Sequence, residues 1–340
     1  MKIFITGGAG FIGSNCTAHF LAQGHHVTIF DNLSRVGGRA NLEWLHHHPQ
    51  QQNLTFVKGD IRDDAALAGA VGGSDVVLHL ASQVAVTLSV QNPREDFEIN
   101  ALGTFNVLEA VRHQCSQATV IYASTNKVYG GLEYLHIQET EGRYVYADRP
   151  EGVSEECPLD FHSPYGCSKG AGDQYMIDYA RIYGLKTLVF RQSCIYGPRQ
   201  FGVEDQGWVA HFVIAAAKNR PITIYGDGKQ VRDLLHVHDL IRAYEAGIQH
   251  IDQVAGQAFN LGGGPENAFS VWQEFGPLLT RLKGQPVPVQ FKEWRPGDQR
   301  VFISDNRKVA TCLGWKPQIS PITGITQLYE WVVANPDLFA

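Results

Sequence analysis

The run Gly7-Gly-Ala-Gly10-Phe-Ile-Gly13 follows directly on the apolar stretch Ile3 to Thr6 and opens a helix-forming stretch, Phe11 to Gln23. Glycines at this spacing suit a parallel strand that turns tightly into a helix. Gly7 allows the turn, Gly10 lets a ligand approach the backbone, and Gly13 lets helix and strand pack closely. The unpaired amides and dipole at the helix start favour a phosphate there. The run therefore predicts a dinucleotide site contacted by Gly7, Gly10, Phe11, Ile12 and Gly13. A second apolar stretch, Val27 to Asp31, ends 18 residues beyond Gly13. A carboxylate at that point accepts the adenosine ribose hydroxyls and repels a 2′-phosphate. NAD is expected as cofactor, with Asn32, Ser34 and Arg35 on the same edge, although Arg35 leaves NADP open.

The pattern then repeats. Strand-like runs at Leu54 to Gly59, Val76 to Leu80, Thr119 to Ser124 and Thr187 to Arg191 alternate with helical stretches at Ala65 to Val71, Phe97 to His113 and Pro164 to Tyr183. Continuous rather than alternating hydrophobicity marks parallel strands covered on both faces. The expected fold is α/β, a Rossmann-like doubly wound parallel sheet with a smaller C-terminal substrate-binding lobe. At 340 residues the chain has room for both. Residues 1–191 form the expected NAD-binding domain, to which 235–262 return as the helix Asp239 to His250 and the strand Ala258 to Gly262. Residues 192–234 and 263–340 form the other lobe, read as loops with helices near Trp208 to Asn219 and Trp272 to Lys283.

A net charge of -6 gives no whole-chain attraction for nucleic acid or anionic lipid. No apolar run suggests a membrane span, and the opening residues lack a charged-then-apolar leader, so a cytoplasmic protein is expected. Cys16, Cys115, Cys157, Cys167, Cys194 and Cys312 are widely spaced, which predicts free thiols rather than disulfides or zinc. His46 to His48, before Pro49, read as a solvated helix end, and no metal site is expected. Gly59-Asp60-Ile61 places Asp60 beside the adenine edge or at a helix N-cap. Leu80-Ala81-Ser82-Gln83 closes the fourth strand at the crevice where such sheets bind ligands, with Ile61, Leu80, Ala81 and Gln83 as cofactor contacts.

Ser163-Pro164 is a helix start, with Ser163 as N-cap and Pro164 at the first helical position. Tyr165 and Lys169 follow four residues apart and share one helix face. A phenol ordinarily ionises near a pKa of about 10. An ammonium ~6 Å away, at an effective dielectric of ~20, favours the phenolate by roughly 3 kcal/mol, or about two pKa units. Tyr-x-x-x-Lys alone is common on surfaces. Its position after the glycine turn, and after Ser124-Thr125-Asn126 at the end of the fifth strand, makes it a candidate proton-transfer pair. Thr125 either holds the reacting oxygen or caps backbone.

The glycine turn, Thr125, Tyr165 and Lys169 together resemble the extended short-chain dehydrogenase/reductase superfamily, along nearly the whole chain. That resemblance implies a Thr125, Tyr165, Lys169 triad working on a nucleotide sugar. It also implies cofactor contacts from Asn100 in Phe97-Glu-Ile-Asn-Ala-Leu-Gly-Thr and from Gln192. Arg232 matches the superfamily's diphosphate-contacting arginine, and Arg295-Pro-Gly-Asp298 a later nucleotide-contacting element.

Dehydration, epimerisation and decarboxylation share this machinery. Dehydratases of the superfamily carry Asp-Glu directly after the Thr, whereas this chain has Asn126-Lys127, which disfavours dehydration. Ser124-Thr-Asn-Lys-Val-Tyr-Gly130, Ser163-Pro-Tyr-Gly-Cys-Ser-Lys169 and Arg191-Gln-Ser-Cys-Ile-Tyr-Gly-Pro-Arg-Gln-Phe-Gly202 are similar to the CDP-paratose 2-epimerase branch. So are Glu204 to Phe212 and the long insertion Gly131 to Glu156; His236-Val-His238 departs from it. The branch implies epimerisation at C2 of a CDP-linked hexose through a 2-keto sugar, with NAD regenerated and a homodimer or homotetramer. Substrate contacts are then expected from Thr87, Asn126, Cys194, Arg199, Val209, Tyr225, Arg232, Arg295 and Asp298. C4 epimerisation, C2 chemistry on CDP-glucose or a UDP-sugar, and a non-catalytic NAD-sensing role remain alternatives.

Overall fold

Successive residues of the first strand bury into opposite cores. In the computed structural model, which describes residues 1–295 and 298–339, Ile3 and Ile5 pack with Phe20, Leu78, Phe190 and Tyr244, while Phe4 packs with Phe30, Val77, Val120 and Met176. A strand without a wet face lies inside a layered α/β structure. The sheet has seven parallel strands in the order Gln257–Leu261, Lys186–Gln192, Thr119–Thr125, Val76–His79, Lys2–Thr6, His26–Asp31 and Leu54–Lys58. The order reverses between Lys2–Thr6 and Val76–His79, where Thr6 lies opposite His79. That reversal is the switch point at which doubly wound sheets open a crevice.

Beyond Gln192 the expected loops are in part short strands. Val231–His236 pairs with Cys194–Tyr196, Ala268–Ser270 and Val301–Phe302, and Ile222–Tyr225 pairs with Val289–Lys292. Strands this short leave too few positions for a period to show. They help enclose another apolar core, built from Tyr196, Val213, Ile224, Phe275, Leu279 and Ile325 among others. Helices there run Trp208–Ala217 and Phe275–Lys283. No helix among the described residues is long and apolar enough to cross a membrane.

Several expected elements differ in detail. The helix expected over Phe97 to His113 begins as a short helix, Pro93–Phe97, passes through a π turn at Glu98–Leu102 and continues as Gly103–Gln114. The wide turn falls on Asn100, whose side chain is fully engaged with the neighbouring crevice loop. Asp60 is not a helix cap. Asp63 caps the helix Asp64–Val71 by accepting from the Ala66 amide, while Asp60 holds Arg62 and Asn32. His236 starts the helix Val237–Gln249 and accepts from the His238 amide. The six cysteines are free thiols, and His46 and His47 lie exposed at a helix end.

His79 anchors the switch point from below. Thr104 Oγ1 donates to Asn100 O and so accepts from His79 Nε2, while Nδ1 accepts from Thr6 Oγ1, which itself receives the Leu80 and Ala81 amides. This tautomer has no room for a second proton, and burial takes the pKa of His79 from 6.5 down to about 3. The unfolded chain therefore binds a proton that the folded chain refuses, and stability is lost as pH falls from 6.5 towards about 3. His79→Gln is expected to flatten the acid limb of a plot of unfolding midpoint against pH. An unchanged slope would exclude this contribution.

Candidate active site

A cavity of about 550 Å³ opens at the switch point and is lined both by the glycine turn and by Thr125, Tyr165 and Lys169. Gly7, Gly10, Phe11, Ile12 and Gly13 form one wall. Gly7 has φ +70, and a Cβ there would lie 2.7 Å from the Ala81 amide nitrogen. A Cβ on Gly13 would lie 2.2 Å from Gly7 O, so helix and strand touch as the spacing predicts. Gly10 caps the helix without a side chain, leaving first-turn amides facing the cavity. Asp31 closes this end, accepting from the Ala9 amide at 3.0 Å and the Leu33 amide at 2.7 Å. Burial raises its pKa, and those two amides oppose the rise. Asn32, Ser34, Arg35, Asp60, Ile61, Leu80 and Ala81 continue the lining.

The opposite end carries Thr125, Tyr165, Lys169, Gln192, Cys194 and Val209, whereas Arg199 lines the cavity beside the glycine turn, its carbonyl accepting from Asn41, which also donates to Ala9 O. Helix Ser163–Tyr183 presents Tyr165 and Lys169 one turn apart; it begins one residue earlier than expected, with His162 rather than Ser163 at the N-cap position, while Ser163 Oγ accepts from the Gly166 amide. Ser89 fixes the helix start by accepting from the Tyr165 amide at 3.1 Å. The electrostatics differ from expectation. Burial dominates and pushes Tyr165 up to about 12; the Thr125 hydroxyl pulls it down and Asp96 adds to the rise. Lys169 falls to about 7 by burial, against the pull of Asp173 and Asp96. In the protein alone the phenol is thus held in its protonated form rather than activated as a base.

Other expected residues lie behind or beyond the cavity wall. Asn100 and Gln83 support it: Asn100 receives Ser82 Oγ and the Gln83 amide, and Gln83 donates to Asp96 at 2.8 Å. Asn126 is buried and accepts from Thr125. Thr87 Oγ1 is buried without a partner among the described residues. Tyr225, Arg232, Arg295 and Asp298 gather separately: Arg232 donates to Asp298 at 2.7 Å, and the Arg295 guanidinium lies 4.0 Å over the Tyr225 ring. Pro296 and Gly297 of that motif lie outside the described residues. Of the residues that do line the cavity, Arg199 has its guanidinium seated over Trp44 at 4.1 Å and near Trp331 at 5.5 Å, and Arg35 donates to Gln206 at 2.7 Å.

Three contributors were not expected. Asp96 is a buried carboxylate that takes the Ser168 hydroxyl at 2.5 Å and the Gln83 and Asn100 amides. Asp173 stands four residues after Lys169, a spacing that could have marked it. Trp208 donates to Cys194 Sγ at 3.4 Å. Burial raises the Cys194 thiol, which removes it as a nucleophile at neutral pH.

A family model described as GDP-mannose 4,6 dehydratase matches residues 4–328 of the chain. The chain belongs to that family. As a member of the GDP-mannose 4,6-dehydratase family it falls within the extended short-chain dehydrogenase/reductase superfamily. It is 46% identical, over 97% of its own length and 99% of the relative's, to CDP-paratose 2-epimerase of Salmonella typhi. Among solved structures it is similar to DesIV of Streptomyces venezuelae, a dTDP-glucose 4,6-dehydratase solved with NAD. The TM-score is 0.85 at 29% identity, covering 99% and 98% of the two chains. It is likewise similar to UDP-glucuronic acid 4-epimerase of Bacillus cereus, solved with its UDP sugar and NAD, at TM-score 0.83 and 27% identity over 98% and 99%.

Proposed function

We propose that the protein binds NAD and epimerises C2 of a CDP-linked hexose of the paratose and tyvelose type. The observation that carries the reading is one continuous cavity joining the glycine turn to Thr125, Tyr165 and Lys169. The full-length likeness to CDP-paratose 2-epimerase supports the finer choice of sugar and carbon. NAD suits the residues present, because the glycine wall would be obstructed by any Cβ at Gly7 or Gly13 and Asp31 closes the ribose end. When bound there, the cofactor supplies reversible hydride acceptance.

The chain's own residues do the rest. Thr125 and Tyr165 hold the C2 oxygen between them, and Tyr165 takes and returns its proton. With the phenol held near 12 by burial, Tyr165 serves as base only once positive charge enters the cavity. Proton abstraction is thereby tied to an occupied cofactor site. Lys169, near 7, orients the cofactor ribose. Thr87, with its unpartnered buried hydroxyl, together with Cys194 and Val209, bounds the sugar, and Arg232, Arg295, Asp298 and Tyr225 receive the nucleotide. Asn126-Lys127 supplies no acid and base pair for elimination. Phe97, Tyr175, Ile182 and Tyr183 are exposed on neighbouring helices and support self-association into a dimer.

The test is a proton NMR survey of CDP-, UDP-, GDP- and dTDP-linked hexoses with the purified protein. Interconversion of C2 epimers is expected for the CDP sugars, with deuterium placed at C2 retained in the product. Turnover at C4 of a UDP-sugar would overturn the assignment of carbon and base. Bound NAD with no turnover on any sugar would leave the non-catalytic alternative.

A further inference from the structure

The ammonium of Lys169 ends in a small enclosure of its own. Nζ donates to Ala123 O at 2.7 Å and lies 4.2 Å from the centroid of the Tyr122 ring. Tyr122 is completely buried. His79 stacks on it with centroids 5.4 Å apart, and its hydroxyl approaches Lys169 O at 3.4 Å. That hydroxyl fits only because residue 172 is glycine, where a Cβ would lie 2.5 Å away. The ring is therefore clamped with its face towards the ammonium.

Lys169 is only 3% exposed, so its ammonium has lost most of its water. The charged and titratable groups that face it are few. Asp173 on the same helix and Asp96 on Pro93–Phe97 favour the charged form, while burial keeps His79 neutral. Arg191, from the neighbouring strand, is already bonded to Asp173, and Tyr165 keeps its proton. Neither carboxylate forms an ion pair with Nζ among the described residues. The direct partners of the ammonium are a carbonyl and a ring face. A lysine ammonium has three donors, and a ring attracts the charge through its quadrupole without claiming one as a hydrogen bond.

We propose that Tyr122 is a positioning residue for Lys169, its ring face keeping the ammonium charged and aimed into the cavity while leaving donors free for a ligand. The proposal rests on the reading of Lys169 as part of the reactive pair. A carboxylate in place of the ring would hold the ammonium more strongly but would occupy its donors and draw it out of line. Alanine at residue 122 would leave the charge unsupported.

Tyr122→Phe and its mono-, di- and trifluorinated phenylalanine analogues test this, the Phe variant, which loses the hydroxyl but keeps the ring, being the common reference. Fluorine drains the ring quadrupole stepwise. The Lys169 titration is followed by NMR of ¹³C-labelled lysine, with the resonance identified by its loss in Lys169→Met. The Phe variant is expected to titrate as the unaltered protein does. Each added fluorine should lower the midpoint, by about one pH unit over the series, with turnover at fixed pH falling in step by up to about tenfold. A midpoint that does not move across the series overturns the proposal, even if turnover falls. The reactive-pair reading fails separately: it is lost if Lys169→Met keeps normal turnover, an outcome the titration neither needs nor predicts.

Discussion

Tyr165→Phe is expected to lower turnover by about 10²- to 10⁴-fold, the usual contribution of a positioned acid–base group, with NAD still bound. The substitution removes one hydroxyl from a ring that is 8% exposed and packs within the wall of the cavity. The glycine turn and Asp31 lie at the other end and are untouched. The loss should fall on kcat rather than on the amount of NAD carried by the purified protein, read from its absorbance after denaturation. A variant with near-normal kcat would place the proton transfer on another residue. A variant that had lost its NAD as well would make Tyr165 part of cofactor binding rather than of proton transfer alone.

Asp173→Ala is expected to destabilise the fold by about 3–5 kcal/mol, the usual effect of leaving a buried charge without its partner. Asp173 is 0% exposed and Arg191 5%. Arg191 donates to both carboxylate oxygens, at 3.0 and 2.9 Å, and Ser124 adds a third bond at 2.7 Å. Arg191 continues to Tyr129 Oη at 3.0 Å, and Tyr129 to Asn260 at 2.7 Å. Three adjacent strands of the sheet are thus tied to the helix that carries Tyr165 and Lys169. Denaturant unfolding measures the loss. Asp173→Leu with Arg191→Met should recover part of it, because the double change removes both charges together. A single variant as stable as the unaltered protein would show that water reaches Arg191. Asp173 also favours the charged form of Lys169, so the same variant should lower the Lys169 titration below about 7.

Local chemistry carried much of this into the sequence. The glycine turn and Asp31 were legible because each is defined by neighbours within one crossover. Tyr165 and Lys169 were legible because one helix turn places them together whatever surrounds the helix. The central strands were legible because both of their faces are apolar. Asp60 and Asp63 show where such reasoning stops: both acids precede the helix, and only backbone geometry chose Asp63 as the cap. The π turn at Asn100 is similar, since a helix-forming sequence does not reveal where one extra residue will be inserted. The strands past Gln192 are too short to carry a period.

The titration of Tyr165 and Lys169 was decided wholly by tertiary structure. Spacing alone gave Tyr165 a lysine one turn away and an expectation of an acidified phenol. Folding buries both, and burial outweighs their proximity, raising the phenol to about 12 and lowering the lysine to about 7. Asp96, Asp173 and Tyr122 come to that site from distant segments or from a face whose direction depends on packing. Sequence by itself determined that the chain forms a doubly wound sheet with a dinucleotide turn and a tyrosine and lysine on one helix face, because those follow from short-range stereochemistry. Which charges that pair feels depends on what the rest of the chain folds against it.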